Sequence, residues 1–454
     1  MHKILSLMMA VILAAVGCAG PGKPAQASTV QASQALSEPV YPQFPTYPEL
    51  PVMGNGDAEA YYDALNSYHD ALQAIRGPGI TEEIQENLNR FAAKSTPLVL
   101  AGREGENTIY SPLSLWSALA MLAQCAEGNS RQQVLDAIDA ANASQLQEDV
   151  SRIWRALYTD DGSSSLLLAN SIWLNSGMQG AYVQNTLDIL AQKHFAGVYS
   201  IPMGTSQADQ AVTDWVKKQT NGLIGGDTPV VQTDPETLAL LASSLYYRAG
   251  WMDEFSPELT EEDIFTDASG QDSRTDFMHM TQDGSFLRQE GWQAAQLRTR
   301  LGEMIFVLPD QGITPESLLQ NPDFLPGLSI HGHGDQSIWG EIRWSVPKFD
   351  VNSDLNLLSS LSALGITDLL NPDKADLSAL TDLDTVLSDA KQLARVKVDE
   401  EGVEGAAVTI LMMNTTSAMP DPDPEICVMD LDRPFLFVIR TEGVPLFIGV
   451  VNQM

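Results

Sequence analysis

The chain has 454 residues, 44% hydrophobic and 19% charged, enough for one large domain or two ordinary ones around a substantial core. Its formal charge of −34 leaves no basic face for nucleic acid, anionic lipid headgroups or heparin-like polyanions, so the composition argues against all three as partners and for solubility; a monomer is expected.

His2 and Lys3 precede an uncharged apolar run from Ile4 to Val16, followed by Gly17 and Cys18. The run is too short for a comfortable membrane span, and residues 1–17 read as a leader peptide. From Ala19 to about Gly56 the chain is rich in Pro, Gly, Ala, Ser and Gln, with YPQFPTYPELP in its middle. Nothing there has a period that builds a core, so residues 18–56 are expected to be a tether. Between Asp57 and Arg76, Tyr61, Leu65, Tyr68, Leu72 and Ile75 recur at helical spacing, which predicts a helix within an N-terminal extension, residues 57–80. Gly77-Pro78-Gly79 stops it, and the main domain is expected over residues 81–454.

Thr81 reads as the cap of a helix reaching Leu100, with Glu82 and Glu83 complementing its dipole. Ser111-Pro112 opens an apolar helix, since proline is tolerated in a first turn, and Asn129-Ser130 is expected to cap the next one. Leu167–Trp173 and Leu238–Phe255 read as strands, the second long. Motifs for catalysis are missing: there is no G-x-S-x-G, H-E-x-x-H, Walker A or G-x-G-x-x-G, so no enzyme, cofactor or metal is expected. His331 and His333 form one close pair, but no Cys or carboxylate nearby completes a site, and the Gly-rich turn reads as a solvated loop. Cys125 on an apolar helix face and Cys427 in strand-like sequence are expected to be buried thiols, although a disulfide is chemically open to an exported chain.

The stretch Glu400–Ser417, EEGVEGAAVTILMMNTTS, fits neither a helix, a settled strand nor an ordinary loop. Gly402 can swing where other residues resist. In an extended chain Val403, Gly405, Ala407, Thr409, Leu411 and Met413 share one face, with Glu404, Ala406, Val408, Ile410 and Met412 on the other. The set begins small and ends bulky, which suits a strand sliding between two others. Asn414 to Pro420 is small and polar, as an exposed, cleavable tip would be. A plain surface loop between two strands is the alternative.

Several motifs together resemble the serpin family. Glu400–Thr409 resembles its hinge, E-E-G-T-E-A-A-A-A-T, with Val403, Gly405 and Val408 as uncharged substitutions. Asn107 to Ser114 with the helix after it, Trp215 to Ile224, Val346-Pro347-Lys348-Phe349, Asp432–Arg440 and Leu446–Asn452 match further serpin patterns, from about residue 81 to the end. The resemblance implies an α+β serpin fold: a large central, mostly antiparallel sheet, two further sheets, about eight or nine helices and an exposed reactive-centre loop. It implies a suicide inhibitor of serine proteases, cleaved between Thr416 and Ser417, whose loop then inserts into the central sheet. Trp251, Ser111, Ser114 and Gln392 would lie where that sheet opens, and Thr213 with Gln392 would replace the Asn and His of the family's hydrogen-bond cluster. Thr415-Thr416, with no Lys or Arg from Thr409 to Glu425, favours elastase-like or subtilisin-like extracellular targets over trypsin-like ones. Ala15-Val16-Gly17-Cys18 resembles a bacterial lipoprotein box, which implies lipid attachment at Cys18 in the cell envelope; Ala15 departs from the usual Leu, and plain secretion is the alternative. A serpin-fold protein that does not inhibit, inhibition of a cysteine protease, and an unrelated enzyme or solute-binding lipoprotein are the competing readings.

Overall fold

The computed structural model describes residues 7–17, 34–39, 41, 44–48, 58–225, 228–330, 337–403 and 425–454. Helix α1 runs Ala58–Arg76, and its covered positions are Tyr61, Leu65, Tyr68, Leu72 and Ile75, the face its periodicity dictates. Helix α2 (Glu82–Leu100) is capped by Thr81, whose Oγ1 accepts from the Ile84 N–H at 3.4 Å. Helix α3 (Pro112–Cys125) starts on Ser111, whose Oγ accepts from the Ser114 N–H, with Pro112 in the first turn. Helix α4 (Gly128–Ala137) departs from expectation: it begins before Asn129, and Glu127 is its cap residue without a side-chain bond. The reason is a competing use of the two side chains, since Asn129 Nδ2 donates to Asp368 Oδ2 at 2.5 Å and Ser130 Oγ accepts from the Asp376 N–H at 3.1 Å. Helices α5 (Ala143–Leu157), α6 (Gln184–Lys193), α7 (Ser206–Gln219), α8 (Pro315–Leu318), α9 (Phe324–Gly327) and α10 (Leu358–Ala363) complete the set among the described residues.

The central sheet has the order β13 (Phe349–Asn356), β14 (Thr385–Val398), β1 (Leu7–Gly17), β7 (Thr237–Gly250), β5 (Ser165–Asn175), β6 (Ala196–Ile201), β2 (Gln34–Ser37). Two short strands join it: β4 (Thr159–Asp160) on β5 and β15 (Gly402–Val403) on β7. Every pairing is antiparallel except β5 with β6. Strand β7 is covered on both faces, as its nearly unbroken apolar run requires. Leu241, Leu245 and Tyr247 join the main core with α3, while Leu240 and Ala242 join a second cluster with Val212, Trp215 and Val216 of α7.

The second assembly runs β16 (Glu425–Asp430), β12 (Ile338–Pro347), β9 (Asp272–Gln289), β10 (Trp292–Thr299), β11 (Gly302–Pro309), β17 (Phe435–Thr441), β18 (Val444–Val451), β3 (Thr108–Tyr110), with β8 (Glu261–Thr266) on β9. Strand β9 pairs with β12 from Phe277 to Phe286 and with β10 only from Phe286 to Gln289, so the assembly divides into two sheets sharing one strand. The result is the α+β fold with one large sheet and two further sheets that the resemblance implied.

The residues expected to be leader and tether contain two strands and a run of aromatic contacts. Gln34–Ser37 pairs antiparallel with β6 and covers the edge of the central sheet. Beyond it Tyr41 stacks on Trp154 and Tyr158 at 5.2 and 5.6 Å, Phe44 lies 5.2 Å from Tyr158, and Tyr47 meets the edge of Tyr68 at 5.1 Å. The Tyr68 hydroxyl donates to Asp161 Oδ2 at 3.0 Å, and Arg76 Nη2 donates to Thr159 Oγ1 at 2.9 Å. This part of the expected tether is therefore a strap of aromatic rings along α5. The apolar run read as a leader forms β1, inside the sheet. Uncharged runs of that length read alike as leader and as a strand in the middle of a sheet, because both lack an alternating polar pattern.

Candidate functional site: the hinge and the slot it faces

The C-terminal end of β14 delivers Glu400 to Val403 to the end of β7. Gly402 and Val403 pair antiparallel with Gly250 and Ala249, and Val403 is completely buried. Gly402 adopts a φ of +151°, and a Cβ there would lie 2.6 Å from Ala249 O and Gly250 Cα and 3.0 Å from Trp251 N. These are backbone atoms, so only glycine fits. Trp251, 1% exposed, fastens the turn from below: its backbone N–H donates to Glu401 O at 3.1 Å and its indole Nε1 donates to Asp399 O at 2.9 Å. Glu400 O accepts from the Phe255 N–H at 3.1 Å.

Glu400 is the charged fastener. Its Oε1 accepts from Lys348 Nζ at 3.0 Å and from Thr260 Oγ1 at 2.9 Å. Burial by itself would raise this carboxyl; the hydrogen bonds from Lys348 and Thr260, with the Lys348 charge, outweigh it and hold the group below the usual glutamate range. Lys348 and Thr260 have roles the sequence reading did not give them, although V-P-K-F was noted as a motif; a single lysine beside an acidic hinge was the available signal. Glu404, Gly405, Ala406, Ala407, Val408 and Thr409, with the Thr416–Ser417 bond, lie outside the described residues. The chain is next described at Glu425, in β16.

Ser111 and Gln392 come together in the core: the Ser111 N–H donates to Gln392 Oε1 at 2.9 Å and Gln392 Nε2 donates back to Ser111 O at 3.2 Å. Gln392 is completely buried, so this two-way amide pair ties α3 to the middle of β14. Ser114 is buried beside it with its hydroxyl unpartnered among the described residues. Thr213 does not join them. Its hydroxyl donates to Asp209 O at 2.7 Å and accepts from the Val230 N–H at 3.0 Å, which commits it to α7 and the chain after it. The expected Thr213–Gln392 cluster is thus reduced to Gln392 with Ser111.

Cys125 and Cys427 are buried and not disulfide-bonded. Burial pushes the Cys125 thiol up to about 12 and the Cys427 thiol up to about 11, so neither is a nucleophile at neutral pH. No group of three metal-ligating side chains occurs among the described residues, and His331 and His333 lie outside them. No helix among the described residues is long and apolar enough to cross a membrane.

A glycine-sharpened hinge is thus fastened at the end of β7, and in sequence it precedes β16 by the stretch 404–424. The family profile described as Serpin (serine protease inhibitor) matches residues 86–454, and the chain belongs to the serpin family. It is similar to Serpin-Z2B of Triticum aestivum, 28% identical over 391 residues that cover 80% of this chain and 95% of the relative. The crystal structure of the thermophilic serpin tengpin in its native state superposes with a TM-score of 0.70 at 26% identity, over 83% of this chain and 95% of that one. Thyroxine-binding globulin, solved in complex with thyroxine, has a TM-score of 0.67 at 19% identity over 82% of this chain and 99% of that one, which speaks to the fold alone. Serpins are generally protease inhibitors and not enzymes.

Proposed function

We propose that this serpin inhibits an extracellular serine protease as a suicide substrate. The observation that carries the reading is the hinge: Gly402 and Val403 already pair with β7, in the antiparallel sense an inserting strand needs. A protease attacks the bond after Thr416, and the freed loop zips in beside β7 before the acyl-enzyme hydrolyses. Insertion of Val403 to Thr416 adds a strand about 46 Å long. Each new ladder hydrogen bond contributes about 1 kcal/mol net, and the apolar loop residues add burial. The protease is dragged with the loop, and its oxyanion hole and triad lose the sub-ångström alignment that deacylation requires. Insertion needs the space that β1 holds, so the inhibitor in this reading is the processed chain that begins at Cys18.

The target pocket is small or shallow, elastase-like or subtilisin-like, because Thr416 follows Thr415 and no Lys or Arg lies nearby. The chain is exported and lipid-anchored through Cys18 in a bacterial cell envelope, with the membrane as its other partner through that anchor. One observation favours a second reading, a serpin-fold envelope protein that does not inhibit: in the chain that keeps residues 7–17, β1 fills the central sheet. A single experiment separates the two. The processed chain is incubated with elastase-like, subtilisin-like, trypsin-like and papain-like proteases, read by denaturing gel and mass spectrometry, and melted before and after the loop is cut. A covalent complex with a sharp rise in Tm supports inhibition; a cut loop with no complex and an unchanged or lower Tm leaves the fold without the function.

A further inference from the structure

The column between β7 and β14 has two claimants from this one chain. Strand β1 pairs with β14 from Met8 opposite Arg395 to Gly17 opposite Thr385, and with β7 from Leu7 opposite Tyr247 to Val16 opposite Thr237. The hinge lies in the same column and runs in the same direction, with Gly402 opposite Gly250 and Val403 opposite Ala249. A strand continuing from Val403 in that register reaches Tyr247 two residues later, and Tyr247 is already paired with Leu7. Both edges of the column are therefore committed to β1 over its whole length, and loop and β1 cannot occupy it together.

The column also states what it accepts. One face of the column is apolar, with Leu241, Leu245 and Tyr247 of β7 and Ala390 and Ala394 of β14 in the main core, so a strand laid there must be uncharged on that face, while Asp389, Lys391 and Arg395 flank the other. Residues 405–416, GAAVTILMMNTT, meet that demand, and so do residues 7–17, LMMAVILAAVG. The first charged residue before β1 is Lys3 and the first after it is Lys23, both beyond the strand.

We propose that the chain's own N-terminal segment, residues 7–17, occupies the β7–β14 column and blocks it until that segment is removed. This rests on the inhibitor reading for its consequence: a chain that keeps residues 7–17 is a substrate, its loop cut but not inserted, and loss of the segment arms it. The leader then does two jobs, as an address and as a stopper.

The test uses the full chain. Hydrogen exchange read by mass spectrometry on residues 7–17 decides the occupant: amides slowed by at least about 100-fold relative to the same residues in the urea-unfolded chain support β1 in the column, and exchange as fast as in the unfolded chain overturns it. The full chain and the same chain carrying Val11→Pro and Leu13→Pro, which cannot donate to the ladder, are then mixed with a protease the processed chain traps. Cleavage without complex for the first and covalent complex for the second support the competition. Equal trapping by both overturns it, since the loop would then enter regardless of β1. If the proline variant misfolds, the exchange result still stands on the unmodified chain. If residues 7–17 are protected but no form of the protein traps any protease, the occupancy is upheld and the inhibitor reading fails.

Discussion

Gly402→Ala tests the hinge without assuming any function. The new methyl would stand 2.6 Å from Ala249 O and Gly250 Cα, distances that real Cβ atoms essentially never show, and neither atom can rotate away. Holding a non-glycine residue at a φ of +151° costs a further 1–3 kcal/mol, about the price of one rare backbone state. The alternative is for the hinge to leave β7. That route gives up the Gly402–Val403 ladder, the Trp251 N–H bond to Glu401 O and the Phe255 N–H bond to Glu400 O, at about 1 kcal/mol each, and exposes Val403, worth about 2 kcal/mol. The chain takes the cheaper route, so the cost of leaving β7 is the ceiling, and the variant should lose about 3–5 kcal/mol of local hinge stability. Hydrogen exchange at Val403 should accelerate by two to three orders of magnitude, read by mass spectrometry beside a urea melt of the whole domain. A variant whose Val403 amide exchanges like the wild type, with the melt unmoved, would refute the claim that the glycine is sterically required.

Three further outcomes follow from the same chemistry. Glu400 has a folded pKa below its unfolded one, so its contribution is present above the ordinary glutamate value of about 4.3 and is lost as pH falls through the lower folded value; Glu400→Gln should flatten that part of a stability–pH profile, and a profile unchanged by the substitution would sink the Lys348–Glu400 account. His194 is completely buried, neither ring nitrogen has a partner among the described residues, and burial pushes its pKa down to about 3. The unfolded chain takes up that proton first, so stability is full above about pH 6.5 and falls by up to about 1.4 kcal/mol per unit on acidification; in chemical denaturation His194→Phe should remove this slope, and an equally steep slope in the variant would count against it. Cys18→Ser should abolish lipid attachment, and a chain beginning at residue 19, made without the leader, should trap protease as the processed wild type does while no longer sedimenting with the envelope fraction. Finding the wild type unanchored and processed after some other residue would end the lipoprotein reading.

What the sequence made legible was local. The face of α1 is written in a 3.6-residue period, Thr81 and Ser111 announce their helices through side chains that can only help at a cap, and Gly402 marks a backbone angle no other residue takes. What stayed hidden depends on partners distant in the chain. Tyr41, Phe44 and Tyr47 recur every three residues, which is neither the helical nor the strand period, and their value comes from Trp154, Tyr158 and Tyr68. Asn129 and Ser130 look like caps until Asp368 and the Asp376 amide claim them. Arg440, buried in β17, donates to Leu328 O and Leu325 O, a use of a guanidinium that no local pattern shows. The place of Thr213 could not be read because its bonds go to Asp209 and Val230, along its own helix and the chain beyond it.

The edge strand β2 fixes a direction. Gln34 lies opposite Ser200, which pairs with Leu174, which lies opposite Ala239 of β7, whereas the hinge meets β7 at Gly250. Along β7 that separation is about 36 Å. Gln34, the described residue nearest Cys18 on its C-terminal side, therefore lies at the pole opposite the hinge. For a molecule held to a surface through Cys18, the hinge at Gly402 would stand at the far height of the domain, where a passing protease would meet it first. Counted onward from Val403 opposite Ala249, Thr416 would come to rest beside Glu236, level with the mooring point. A captured protease would be carried from the outer pole down to the surface itself.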